Sequence, residues 1–412
     1  MKTITSLFAL ILCSFITFTS CQGNKTQETV VISSMDSSGY SFDRKFLRKY
    51  DSVIELKNGS SRVLLVPAYQ GRVMTSSCNG DSGYSSGWIN YSLIHSGKYQ
   101  EHINPYGGEE RLWLAPEGGQ YSFFFAKGVP FDFEHWFTPK EFDTVPFHVE
   151  KVSDTSALFS RNMVLKNRSG NVFIIHIDRK ITILNNNAIQ QESNVIIPNG
   201  VKVVAYESTN TITNSGKFAW TRQTGAPAIW LLGMMKPSPS TTIVLPVRTN
   251  PSDTTTQFHD TYFGKIPADR WKVEPNIAFL KADGKFRGKV GIPPGHATDF
   301  IGSYDSAAHL LTVLQYVSPE FNKEFVNSTW EEQKYPFLGD VFNAYNDGPL
   351  KDGSQLGPFY ELESLSPAAF LSPGQSLAHS QITYHFQGNP ALLNQIAQKL
   401  LGTSLQKIET AF

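Results

Sequence analysis

The sequence predicts a mostly β protein: one large antiparallel sandwich with a C-terminal helix. Three observations carry that expectation. Short apolar stretches alternate with period two, as half-buried strands do. Turn residues separate them, with 31 Gly and 23 Pro in 412 residues. Aromatics make up 13% of the chain and charged residues only 17%, which suits broad sheet cores.

The same composition excludes several classes. Lys+Arg and Asp+Glu both number 36, so the net charge is zero. A nucleic-acid partner, which needs a basic excess, is not expected. No P-loop, dinucleotide fingerprint, nucleophile elbow or zinc-protease helix occurs. The three cysteines show no metal pattern, and Cys78 has no intramolecular disulfide partner once Cys13 and Cys21 are assigned to the leader region.

Residues 1–20 read as a signal peptide, with Lys2 as its positive start and Leu7–Phe18 as an apolar run too short for a membrane span. Phe18-Thr19-Ser20-Cys21 resembles a bacterial lipobox, in which the cysteine is lipidated and becomes the new N-terminus. Ordinary signal cleavage is the alternative, because Phe18 stands where Leu is usual. Gln22 follows the cysteine rather than Asp, so the expectation is an outer-membrane lipoprotein whose membrane partner is reached through a lipid anchor. Residues 21–40 are rich in Ser, Thr, Gln and Asn and read as a tether. Residues 41–412 form one domain.

Within it, Ser41–Tyr50 is a short helix with Phe42, Phe46 and Leu47 on one face. A hairpin follows through Asn58-Gly59 to Arg62–Pro67. Ile103–Phe125 holds Gly107-Gly108, free to take positive φ, then Arg111, Trp113 and Glu117. Asp154–Ile183 reads as three strands, at Ala157–Lys166, Val172–Ile177 and Lys180–Leu184. After a turn at 185–187, Gln190–Pro198 and Val201–Asn214 follow. The polar stretch 249–267 carries Asp253, His259, Asp260 and Tyr262 and reads as a lid or surface arm. Phe279–Ile292 reads as a lysine-rich edge hairpin with Asp283-Gly284 at its tip. Phe337–Leu356 reads as a loop with Asp340, Asn343, Asn346 and Asp347. Phe359–Leu365 is a strand that puts Glu361 and Glu363 on one face. Pro367 ends its pairing, 372–375 makes a turn, and His379–Phe386 is the next strand. Asn389-Pro390 caps a helix with an apolar stripe at Leu392, Leu393, Ile396, Leu400 and Leu401.

Four stretches carry a resemblance. They are Gly357–Phe386, the run RVLLVPAYQGRVMTS at 62–76, Gly107-Gly108 followed by Arg111-Leu112-Trp113, and the run VVAYESTNTITNSG at 203–216. Together they resemble the galactose mutarotase-like (aldose 1-epimerase-like) superfamily. The resemblance implies a β-supersandwich of antiparallel sheets whose concave sheet forms a sugar cleft. It implies Glu363 as the first catalytic carboxylate and Glu361 as the second. It places Arg111 and Trp113 at the rim, the Arg donating hydrogen bonds and the Trp stacking on pyranose C–H groups. Glu117, Asn343, Asn346 and Asp347 join them as substrate-binding candidates. His296, in the loop PPGHATDF, is the candidate histidine.

The chain departs from the epimerase pattern. Asn210 and Thr211 stand where epimerases carry a histidine, and Tyr106 precedes Gly107-Gly108, so there is no His-Gly-Gly. Each candidate also has a plainer reading. Arg111 and Trp113 suit a buried Trp beside an Arg–Glu pair that locks two loops. Glu361 and Glu363 suit an exposed sheet face, or a Ca²⁺ site as the one cofactor to consider. Two functions stay open. One is a carbohydrate-active enzyme, either an epimerase-like isomerase or a hydrolase or lyase on the same fold. The other is a non-catalytic sugar- or glycan-binding, or structural, envelope lipoprotein.

Overall fold

The computed structural model describes residues 39–249, 256–317, 319–350 and 352–412. The leader, nearly all of the tether with Cys21, and Asp253 lie outside the described residues. The described residues open with helix α1 (Tyr40–Tyr50), where a helix is expected, though its buried positions are Tyr40, Asp43 and Leu47 and Phe42 is exposed. Strands β1 (Ile54–Asn58), β2 (Ser61–Val66) and β3 (Arg72–Ser77) follow. Helix α2 (Tyr91–Ser96) leads to β4 (Gly108–Ala115). Next come β5 (His148–Val152), β6 (Ser156–Lys166), β7 (Val172–Ile183), helix α3 (Asn186–Ser193) and β8 (Lys202–Asn214). Then follow β9 (Ala228–Met235), β10 (Thr241–Pro246), β11 (Trp271–Glu274), β12 (Ile277–Lys281) and β13 (Gly288–Ile292). The last strands are β14 (Phe300–Asp305), β15 (Leu310–Val317), β16 (Phe342–Asn346), β17 (Tyr360–Leu365) and β18 (Ser376–Gln387). Helices α4 (Pro390–Leu401) and α5 (Leu405–Glu409) end the chain.

These strands form two antiparallel sheets. One runs β1-β2-β3-β4-β9-β17-β16-β13, and the other runs β11-β12-β10-β14-β15-β18-β8-β7-β6-β5. The expected β-sandwich is therefore present. Leu65, Leu112 and Leu362 of the first sheet share one buried cluster with Phe159, Ile177 and Ile212 of the second. Truncating a residue such as Leu362, which is fully buried, costs about 2–5 kcal/mol. Alternation along β18 turns Ile382, Tyr384 and Phe386 the other way, where they pack with Leu393, Ile396 and Leu400 of α4. Asn389 caps α4 by accepting from the Ala391 N–H.

Polar groups also cross between the sheets. Arg179 meets Glu110 at 3.0 Å, and Gln381 donates to Glu110 at 2.8 Å. His385 lies 2.9 Å from Glu109. Ser364 contacts His379 Nε2 and Gln381 Oε1, each at 2.7 Å. Burial drives the His379 imidazole down to about 3, so it is neutral here.

Four expectations are corrected. β7 is one strand and does not break at Asp178-Arg179, because the Arg179 side chain is taken up by the intersheet pair with Glu110. The stretch after Asn185 begins as α3, with Asn185 capping it through Ala188 N–H. Phe279–Ile292 is not a hairpin, since β12 and β13 belong to different sheets and Asp283-Gly284 lies where the chain crosses between them. Phe337–Leu356 is not wholly a loop, since it contains β16, which pairs with β17 and β13.

Candidate functional site

The eight-stranded sheet has one face on the sandwich core. Its other face floors a pocket. Register builds that floor row by row. Lys289 of β13 lies opposite Tyr345 of β16, which lies opposite Glu361 of β17, which lies opposite Met234 of β9. One row along, Asn343 opposes Glu363, which opposes Leu232, which opposes Arg111 of β4. In the next rows Trp230 of β9 opposes Trp113 of β4. Residues on alternate positions point to the core instead, as Ser364 does.

Two glycines let β4 enter this floor. Gly107 and Gly108 have φ of 94° and 105°. A Cβ on Gly107 would lie 2.0 Å from the Trp88 carbonyl oxygen. The β4–β9 register then shifts between Gly108 and Arg111, a bulge that aims Arg111 at the floor.

There Arg111 Nη1 donates to Glu361 Oε1 at 2.8 Å, and its guanidinium lies 4.5 Å from the Trp113 ring centre. Lys289 Nζ donates to Glu363 Oε2 at 3.1 Å, and Trp230 Nε1 donates to the same oxygen at 2.8 Å. Ile103, Phe133, Trp136, Phe263 and Trp330 help to wall the inner pocket, and Glu117 and Arg287 also line it. Space open to water-sized spheres is about 60 Å³ there and about 220 Å³ in an adjoining vestibule. At about 10–15 Å³ per water, the inner space takes roughly five waters and the vestibule several times more. The two share Ile103, Phe133, Arg287 and Leu356.

The charges are tuned by burial. Burial pushes the Glu361 carboxyl up to about 7, although Arg111 pulls it down, and Glu363 adds to the rise. Burial also raises Glu117, against the pull of Lys289. Burial alone would lower Lys289, but Glu363, Glu117 and Glu361 outweigh it and hold the ammonium charged. Several buried polar atoms in and beside the pocket have no protein partner: Arg111 Nε, Trp113 Nε1, Trp136 Nε1 and Glu363 Oε1.

The expected site residues separate into four groups. Arg111, Trp113, Glu117 and Glu361 line the inner pocket together. Glu363 lies beneath it, fully buried against Lys289 and Trp230. Asp347 lines the vestibule, where it accepts from Tyr345 OH at 2.7 Å and Gly357 N–H at 3.0 Å. Burial raises its carboxyl. Asn343, Asn346 and His296 line neither space. Period two along β16 puts Asn343 and Asn346 on opposite faces. Asn343 contacts Asp340 at 3.4 Å, while Asn346 receives the Gly284 N–H and donates to the Phe286 carbonyl. His296 is buried, with Nδ1 3.1 Å from the Arg248 carbonyl oxygen.

Sequence reasoning missed Lys289, Arg287 and Trp230. It named Asp340, His259 and Tyr262 but not their contact: Asp340 lies 2.8 Å from His259 Nδ1 and accepts from Tyr262 OH. Each of the two glutamates holds a cationic side chain, Glu361 with Arg111 and Glu363 with Lys289. Among the described residues, no group of three or more His, Cys, Asp or Glu is placed to hold a metal.

No curated protein matches the chain. In structure it is similar to a putative aldose 1-epimerase from Escherichia coli K12, at 11% identity and TM-score 0.46, over 82% of this chain and 99% of that one. It is also similar to a galactose mutarotase-like protein from Lactobacillus casei, at 11% identity and TM-score 0.45, over 81% and 100%. A galactose mutarotase related enzyme from Lactobacillus acidophilus matches at 8% identity and TM-score 0.45, over 81% and 97%. A family model matches residues 38–412, and the chain belongs to that family, described as one of unknown function (DUF6786).

Proposed function

We propose that the pocket binds carbohydrate. The observation that carries this reading is the buried Arg111–Glu361 pair on the floor of a tryptophan-walled pocket. Indole faces suit pyranose C–H groups, and a few convergent polar groups in an apolar cleft suit ring hydroxyls. The unpartnered polar atoms add unused hydrogen-bonding capacity, each worth about 1–3 kcal/mol if left buried and unmet. One ring occupies the inner space, and any remainder extends into the vestibule.

A second reading adds proton transfer on the bound sugar. The poise of Glu361 near neutrality favours it, since a group with that pKa both takes and gives protons at physiological pH. Among the described residues no histidine lines the inner pocket, so the work would fall to Glu361 and Glu117. Opening a hemiacetal needs one group to take the anomeric hydroxyl proton and one to protonate the ring oxygen. We further propose that the chain is carried in the cell envelope on a lipid at Cys21, as the FTSC segment suggests.

Calorimetric titration of the purified chain with monosaccharides and oligosaccharides tests the binding, and anomer-exchange NMR tests the chemistry. We expect at least one saccharide to bind and Glu361→Gln to weaken it about tenfold or more. A flat panel with folded protein would overturn the reading.

A further inference from the structure

We propose that the saccharide is anionic, and that its carboxylate, sulfate or phosphate group meets Arg287 where the inner pocket opens into the vestibule. This rests on the reading of the pocket as a carbohydrate site.

Arg287 directly precedes β13, and period two places it on the same face as Lys289. It lines both the inner pocket and the vestibule. Its situation differs from that of the other cations of the floor. Arg111 is spent on Glu361 and Lys289 on Glu363. Among the described residues, the Arg287 side chain forms no ion pair and no hydrogen bond, and its charge acts on Glu117 and Tyr345 only at longer range.

An aromatic ring holds it instead. The Arg287 guanidinium lies 3.8 Å from the centre of the Phe263 ring. Phe263 is itself set edge-on against Trp330 and Tyr345, at 6.3 Å and 6.0 Å. A guanidinium held on a ring face keeps its N–H donors in its own plane, where they form a planar fork for a carboxylate, sulfate or phosphate. Paired oxygens on a ligand fit that fork better than a single hydroxyl does.

The neighbouring acids give Arg287 no close counter-charge. Of the three cationic residues that line the inner pocket, Arg111 and Lys289 are paired with Glu361 and Glu363, and the remaining carboxyl, Glu117, acts on Arg287 through its field without forming an ion pair with it. Burial raises the Glu117 carboxyl, with the Lys289 and Arg287 charges opposing the rise. In the vestibule Asp347 is committed to Tyr345 and Gly357, and Glu101 is exposed to solvent. A ligand that brings its own negative charge completes the site.

The test is calorimetric titration at low and moderate salt with matched sugars: glucose, glucuronate, glucose 6-sulfate and glucose 6-phosphate, and the corresponding galactose set. Each is run against the wild-type chain, Arg287→Gln and Arg287→Lys, with thermal melts to confirm folding. We expect at least one anionic sugar to bind about tenfold or more tightly than its neutral counterpart. Arg287→Gln should erase that preference and Arg287→Lys should keep part of it. The uronate arm and the ester arms tell which anion is preferred. If neutral and anionic sugars bind alike, the inference fails while the carbohydrate reading stands. The same holds if Arg287→Gln leaves the preference intact. If no saccharide binds, the carbohydrate reading fails and takes this inference with it.

Discussion

Arg111 Nη1 and Glu361 Oε1 meet at 2.8 Å across 250 residues of chain, both buried. Strand β9 lies between them. Arg111 stands opposite Leu232 and Glu361 opposite Met234, so the pair spans the strand diagonally. The ion pair does not offset the loss of water around the carboxylate, and Glu361 rises to about 7 despite it.

That shift has a signed consequence for stability. The folded chain keeps a proton on Glu361 that the unfolded chain releases near the ordinary value of 4.5. The stabilising contribution is therefore complete below about 4.5 and is lost as pH rises through about 7. Glu117 shifts in the same direction, so removing Glu361 alone should reduce the slope without abolishing it. Thermal melts of the wild type and Glu361→Gln across this range should converge as pH rises if the wild type begins more stable. Curves that stay parallel would contradict the assignment.

The Lys289–Glu363 pair should behave as structure first. Glu363 is fully buried and also accepts from Trp230. Lys289→Met leaves that carboxylate without its counter-charge and should cost about 3–5 kcal/mol in denaturant unfolding. Glu363→Ala strands both donors and should likewise lower the melting temperature clearly. The double variant Lys289→Met/Glu363→Leu removes both charges and should recover much of the loss. Simple additivity of the two single variants would argue against direct coupling.

Part of this site was legible in the sequence because local rules govern it. Alternation along β17 gave the shared face of Glu361 and Glu363. Gly107-Gly108, at the start of β4, marked a turn, and the resemblance rather than a local rule put Arg111 and Trp113 at the cleft. Arg287 and Lys289 were missed although the same period-two rule relates them, because a Lys-rich segment with an Asp-Gly turn also suits an exposed edge hairpin. Only the nonlocal pairing of β13 with β16 shows that these cations face the pocket. Asn343 and Asn346 looked alike in a polar stretch. Asn has low strand propensity, so β16 was not evident, and without a strand their opposite faces could not be assigned. Arg179 misled in a similar way: the charged Asp178-Arg179 pair looks like a break until Glu110 is seen across the sheets.

The proposed lipid anchor is tested by Cys21→Ser. The variant should leave the membrane fraction and migrate without the lipid-dependent shift, while the wild type stays membrane-bound. Retention of the variant in membranes as a precursor-sized chain would remove the main support for the lipobox reading.

The last prediction concerns the segment around His259, which covers the edge of β13. His259 exchanges backbone hydrogen bonds with Gly291, at 2.9 Å and 2.8 Å. Its ring lies 2.8 Å from Asp340, which also accepts from Tyr262 OH. Phe258 is buried edge-on against Trp271, 5.3 Å away, and Trp271 Nε1 donates to Asp260 at 2.9 Å. The bond to Asp340 raises the His259 pKa above its ordinary 6.5, with burial opposing and the Asp340 and Asp260 charges adding to the rise. A raised histidine contributes stability that is full below about 6.5 and is lost as pH climbs through the folded value. The segment should therefore be held most firmly in mild acid. Because Phe263 follows on the same stretch and holds Arg287, loosening should reach the pocket wall. Hydrogen exchange of the 256–266 peptide, corrected for intrinsic rates, should show protection falling as pH rises above about 6.5. Asp340→Asn should remove most of that pH dependence, and His259→Gln should give a pH-independent level. If wild type and His259→Gln show the same profile, the His259–Asp340 contact does not control how this segment is held, and Phe258 and Tyr262 do.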